Sequence, residues 1–199
     1  MINTIIFDIG RVLLEFEPKK YLEAKFSEEV VDELFEHVFS RDEWLELDKG
    51  TIDEEMALEI IAKRIPHRRG EISELLEGWH ELLIPIAGTV EILHRLKEKK
   101  YKIYLLSNFH FKAFEKVSNQ FDFFQIADGK IISSHVKYLK PQKEIYEALM
   151  VKYNLQPSEC LFIDDTKENL EGAKKIGINT IHFISATQLE EDLLEVGIL

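Results

Sequence analysis

The sequence predicts an α/β protein, a parallel sheet with covered faces, interrupted once by an all-helical block. Two observations carry this. Short apolar runs at 4–7, 102–106, 160–163 and 179–183 alternate with helical stretches, the pattern of a parallel sheet with crossover helices. Between residues 15 and 85, by contrast, strand signals are missing and helix starts recur.

The first strand, Thr4-Ile5-Ile6-Phe7, runs directly into Asp8-Ile9-Gly10-Arg11-Val12-Leu13-Leu14. It sets a carboxylate at the carboxyl end of an apolar strand, where open α/β sheets keep their ligand crevice. In the helical block, Ser27-Glu28-Glu29 reads as a helix start, and Val31, Leu34, Phe35 and Val38 follow at i, i+3, i+4 and i+7. A second start lies at Thr51–Glu54, as a capping box or with Asp53 itself as the cap, and Ala57, Ile60 and Ile61 continue it. Ile72, Leu75, Leu76 and Trp79 repeat the spacing in a third helix. Beyond the block, a helix from about Thr89 points Ile92, Leu93 and Leu96 at the sheet. Another follows Pro141, which suits a first helical turn, and carries Ile145, Ala148 and Leu149.

With 199 residues, 45% of them apolar and 31% charged, the chain is long enough to bury a real core. A formal charge of −12 repels nucleic acid and anionic membrane. Phosphate binding by so acidic a chain calls for a cation, and Mg²⁺ is the expected one. The lone Cys160 excludes an internal disulfide and a cysteine zinc site, and it reads as a core residue. No segment approaches a membrane span, and a cytoplasmic protein is the expectation.

Four stretches carry candidate chemistry. Asp8 can be a nucleophile, a metal ligand or both, or a turn cap. The strand 102–106 ends in Ser107-Asn108, whose hydroxyl and amide can hold a phosphate oxygen or make an ordinary turn. Lys140 stands before a helix start, where anions are favoured, although most such lysines are solvated surface groups. Leu161-Phe162-Ile163 ends in Asp164-Asp165, whose mutual repulsion is best relieved by a divalent cation. Asn169, Gly172 and Ala173 follow, the last two suited to close helix–sheet packing. Trp79 falls on an apolar stripe and reads as core. Trp44 with Asp48 is a candidate for facing substrate. His110 reads equally as a pocket residue or a surface histidine at a helix start.

Taken in order, Asp8-x-Gly10-x-Val12-Leu13, Ser107-Asn108, Lys140-Pro141 and Asp164-Asp165 with Asn169 resemble the haloacid dehalogenase-like hydrolase superfamily over nearly the whole chain. The resemblance implies a Rossmann-like parallel sheet core (residues 1–14 and 86–199) with an inserted helical cap domain (15–85). The Asp-x-Gly form, with Trp44-Leu45-Glu46-Leu47-Asp48-Lys49-Gly50, is most similar to the glucose-1-phosphate phosphatase and epoxide-hydrolase N-terminal-like branch. It further implies that Asp8 attacks phosphorus to form an aspartyl-phosphate. Ser107, Asn108 and Lys140 would hold the transferring group, and Mg²⁺ would be held by Asp8, the Gly10 carbonyl, Asp164 and Asp165. The expected substrate is a small phosphorylated metabolite, a sugar phosphate first among them.

One departure stands out. The superfamily's phosphatases usually carry a second Asp, a general acid–base, at the position of Gly10, and Arg11 replaces the usual Gly after it. Glu15, Glu17 or His110 could substitute for the acid, or the leaving group could need little protonation. A metal-independent dehalogenase and a non-catalytic phosphometabolite-binding protein are the alternatives.

Overall fold

The computed structural model describes residues 1–199 as a five-stranded sheet in the order β3-β2-β1-β4-β5, with every neighbouring pair parallel. The strands are β1 Thr4–Phe7, β2 Lys102–Ser107, β3 Gly129–Ile132, β4 Cys160–Asp164 and β5 Asn179–His182. The α/β class read from the sequence holds. Strand β3 was not anticipated: Gly129-Lys130-Ile131-Ile132 is short, opens with glycine, and buries only its last two residues at the sheet edge. Two other strand ends also shift, because Ser107 and Asp164 belong to the ladder rather than to the loops after it.

Register brings the chemistry together. Phe7 lies beside Leu105 on one side and Ile163 on the other. Asp8, Ser107 and Asp164 therefore emerge along one edge of the sheet, the carboxyl ends of three adjacent strands.

Residues 15–85 are helical throughout their regular structure: α1 Pro18–Lys25, α2 Glu28–Leu34 continuing as a π-helical turn to Phe39, α3 Asp42–Lys49, α4 Glu54–Arg64 and α5 Arg69–Gly78. Asp53 is the cap of α4, its side chain accepting from the Met56 N–H at 2.8 Å. Gly50 ends α3 in the left-handed region, at φ 70°. The chain enters and leaves this segment through paired strands of backbone: Glu15 N–H donates to Ile84 O at 2.7 Å, and Ile86 N–H to Leu13 O at 2.9 Å.

The remaining helices are α6 Ala87–Glu98, α7 Phe111–Gln120, α8 Phe123–Ile126, α9 Ser133–Val136, α10 Lys143–Tyr153, α11 Lys167–Lys174 and α12 Ala186–Glu195. Pro141 is not in the first turn of α10, as the sequence suggested. Gln142 is the cap, and its side-chain oxygen accepts from the Leu139 N–H, holding 139–142 as a turn of its own. No helix is long and apolar enough to cross a membrane.

Alternation along the strands divides the core. Ile5 and Phe7 point to one face, Ile6 to the other. The first face shares one continuous apolar cluster with the helical segment, through Leu34, Trp44, Ile61 and Trp79. The inserted helices thus pack onto the sheet domain's own core rather than folding apart from it. Cys160 is buried on the other face, as expected.

Candidate active site

Strand β1 ends at Asp8, whose N–H is bound to Ile163 O at 2.9 Å, so the residue is still held by the neighbouring strand. Its carboxylate accepts from the Ile9 N–H at 2.7 Å and meets Lys140 Nζ at 2.7 Å. The same ammonium reaches Asp164 Oδ2 at 2.7 Å. Asp164 in turn accepts from the Thr166 N–H at 2.8 Å and from Asn169 Nδ2 at 3.1 Å. Asn108 and Lys140 exchange bonds: the Lys140 N–H donates to Asn108 Oδ1 at 2.8 Å, and Asn108 Nδ2 donates to Lys140 O at 3.1 Å. Asn108 thereby holds the backbone that aims Lys140. Gly172 lets α11 approach that turn closely, since a Cβ there would lie 2.8 Å from Pro141 O.

The electrostatics are lopsided. Burial pushes the Asp8 carboxyl well above the usual carboxylate range, Lys140 opposes this, and Asp164 and Asp165 add repulsion. Burial also raises Asp165, with repulsion from Asp164 behind it and Arg11 acting against. Burial alone would pull the Lys140 ammonium down, but the attraction of Asp164 and Asp8 leaves it raised. Oxygens of Asp8, Asp164 and Asp165 lie within 4.8 Å of one another. Three carboxylates share one buried ammonium and the exposed guanidinium of Arg11, 3.8 Å from Asp165. The donor set is hard oxygen with surplus negative charge, which fits a divalent cation.

The structure brings together Asp8, Ser107, Asn108, Lys140, Asp164 and Asp165. Ser107 is buried and its hydroxyl donates only to Asn108 O, at 3.3 Å, so it is free to turn to another acceptor. Gly10 sits in the turn after Asp8, and a Cβ added there would meet nothing within 4 Å. Arg11 adopts φ 59°, a conformation that disfavours side chains. Glu15 and Glu17 are exposed and line a groove with Arg11, Phe16, Lys20 and Asp165.

His110 is no surface residue. It caps the start of α7 fully enclosed, its ring 4.2 Å from that of Trp44 and 4.8 Å from that of Trp79. Its Nε2 lies 3.3 Å from Asp48 Oδ1, off the direction of a hydrogen bond. Burial pushes its pKa down to about 3. Burial pushes Asp48 up to about 8, against the pull of Lys140 and with a smaller repulsion from Asp8. Trp44 and Trp79 are both packed in the core. The contribution of Ser133 went unread in the sequence, because the strand that ends just before it, β3, did. Its hydroxyl accepts from the Phe109 N–H at 2.9 Å and donates to the main-chain oxygen of Asp48.

Comparison with known proteins settles the family. Residues 2–177 match the family described as haloacid dehalogenase-like hydrolase. The chain belongs to this family. It is 22% identical over 177 residues, 89% of its length and 87% of the relative's, to a sesquiterpene phosphatase of Aspergillus oryzae. It is 24% identical over 204 residues, 98% of its length and 91% of the relative's, to a phosphorylated carbohydrates phosphatase of Thermotoga maritima. Among solved structures, a family enzyme of Bacteroides thetaiotaomicron in complex with magnesium and inorganic phosphate superposes with a TM-score of 0.72. It is 23% identical, and the match covers 93% of this chain and 96% of that one. The superfamily inferred from the motifs is thus the one found, and the hydrolase fold is that of the family.

Proposed function

We propose that this hydrolase is a Mg²⁺-dependent phosphatase of small phosphorylated metabolites, sugar phosphates foremost, acting through an aspartyl-phosphate on Asp8. The observation that carries the reading is the shared ammonium of Lys140 between Asp8 and Asp164, with Asp165 alongside, at the carboxyl edge of the sheet. The names of the phosphatase relatives support the substrate class.

Each side chain has a distinct task. An Asp8 oxygen attacks phosphorus, and the ester oxygen departs. Lys140 offsets the repulsion between that carboxylate and the incoming phosphate. Ser107 turns its hydroxyl from the Asn108 carbonyl to a phosphoryl oxygen, and Asn108 keeps Lys140 in place. Water then releases phosphate from Asp8. Asp8, the Gly10 carbonyl, Asp164 and Asp165 would hold Mg²⁺, which when bound supplies charge neutralisation at the transferring group. Residues 15–85 act as a cap over a core of residues 1–14 and 86–199, and they exclude water and select the substrate. A metal-independent dehalogenase would leave the repulsion among three acids unrelieved, which favours the phosphatase.

The test is hydrolysis of p-nitrophenyl phosphate and a panel of sugar phosphates with Mg²⁺, with and without EDTA. Asp8→Asn should abolish turnover while leaving the circular dichroism spectrum unchanged. Turnover by that variant, or wild-type activity indifferent to EDTA, would overturn the reading.

A further inference from the structure

We infer that the Asp48 carboxyl, brought to the sheet edge by the inserted helices, delivers the proton to the leaving oxygen and later takes one from the attacking water, with His110 as its positioning partner. The inference deepens the phosphatase reading and rests on it.

A departing alkoxide or phenoxide needs a proton, and the groups around Asp8 are few. Lys140 is committed to Asp8 and Asp164. Asp165 faces Arg11 and belongs to the acidic cluster. Glu15 and Glu17 are exposed to solvent, in a groove whose lining includes Asp165 but not Asp8. His110 is 0% exposed, and as a neutral imidazole it has no spare acidic proton to give. Asp48 differs from all of these. Its side chain is 14% exposed and 3.3 Å from an unpartnered buried imidazole nitrogen.

The main chain around Asp48 is anchored from the sheet domain. Ser133 donates to the Asp48 carbonyl and Lys137 to the Gly50 carbonyl, and the same Ser133 hydroxyl accepts from Phe109. One hydroxyl therefore ties the end of α3 to the loop that runs from Ser107, the last residue of β2, to His110. The carboxyl feels both Asp8 and Lys140, and burial keeps its proton on at neutral pH.

The chemistry balances in two steps. As the Asp8–phosphorus bond forms and the ester bond breaks, the Asp48 proton passes to the leaving oxygen, giving a neutral alcohol and an Asp48 carboxylate. Water then attacks the acyl phosphate and its proton returns to Asp48. Inorganic phosphate and the Asp8 carboxylate are released.

The experiment compares p-nitrophenyl phosphate, whose phenol leaves without help, with phenyl phosphate, whose phenol does not. Rapid-quench measurements with Mg²⁺ read the first-turnover burst and the steady state. Asp48→Asn should keep the p-nitrophenolate burst within about threefold while slowing the phenol burst by about a hundredfold, and should slow the steady state for both. His110→Phe should weaken the phenol burst selectively as well. A Cβ at residue 10 meets nothing within 4 Å, so Gly10→Asp can set a carboxyl two residues beyond the nucleophile, and in the Asp48→Asn background it should restore the phenol burst. Equal losses in both bursts, no loss in either, or no rescue would overturn the assignment. Wild-type protein inactive on both esters would instead overturn the phosphatase reading itself, and this inference with it.

Discussion

Lys140 Nζ stands 2.7 Å from Asp8 Oδ1, in a site where the lysine side chain is 2% exposed and the aspartate 9%. The same nitrogen is also bound to Asp164, so removing it would strand two buried carboxylates rather than one.

Lys140→Met should therefore destabilise the fold by roughly 3–5 kcal/mol at pH 8, the scale of a broken buried ion pair. Asp8 is already raised, and losing its cation raises it further. A raised acid favours the folded state at low pH and penalises it as pH climbs through the folded pKa. The deficit should thus shrink between pH 8 and pH 5. Urea titrations at both values check this, and a pH-independent deficit would count against it.

The enclosed His110 predicts an acid sensitivity of the opposite sign. Its pKa is lowered to about 3 in the fold, from 6.5, so the unfolded chain binds the proton first. Its contribution is present above pH 6.5 and is lost as pH falls toward 3. At pH 5 the loss from this group alone should be roughly 2 kcal/mol. His110→Phe should remove that part of the pH slope between 7 and 5, measured by denaturant unfolding.

If the acidic cluster holds Mg²⁺, the ion should stabilise the folded state by about 2.7 kcal/mol at a hundred times its dissociation constant. Thermal melts across a MgCl₂ series should rise accordingly and return to baseline with EDTA. Asp165→Asn should displace the series to higher Mg²⁺. Melts insensitive to Mg²⁺ would argue that the cluster is not a metal site.

Gly50 gives a steric prediction. It has φ 70°, and a Cβ would fall 2.6 Å from the Ser134 carbonyl oxygen. Gly50→Ala should cost about 1–3 kcal/mol and loosen the end of α3 that carries Asp48. Denaturant unfolding, alongside the phenyl phosphate burst, reads both effects.

Much of this site was legible along the chain because its parts sit at strand ends. An apolar run that stops at a carboxylate announces itself locally, so Asp8 and Asp164 stood out, and Lys140 followed from a turn before a helix. Strand β3 did not stand out, because four residues opening with glycine carry too little periodicity, and Ser133 was missed with it. The placing of His110 depended on what covers it. The rings of Trp44 and Trp79 come from the inserted helices, distant in sequence.

The sequence by itself determined the parallel sheet, the helical insertion, the acidic pair at the end of β4 and the vacancy of a carboxyl at Gly10. Those are properties of neighbouring residues, written in period and spacing. Only the tertiary structure decided that one lysine is shared by two acids, that His110 is enclosed, and that Asp48 reaches the edge of the sheet. Such distances depend on the register of strands and the docking of a helix, and these are set by packing summed over the whole core.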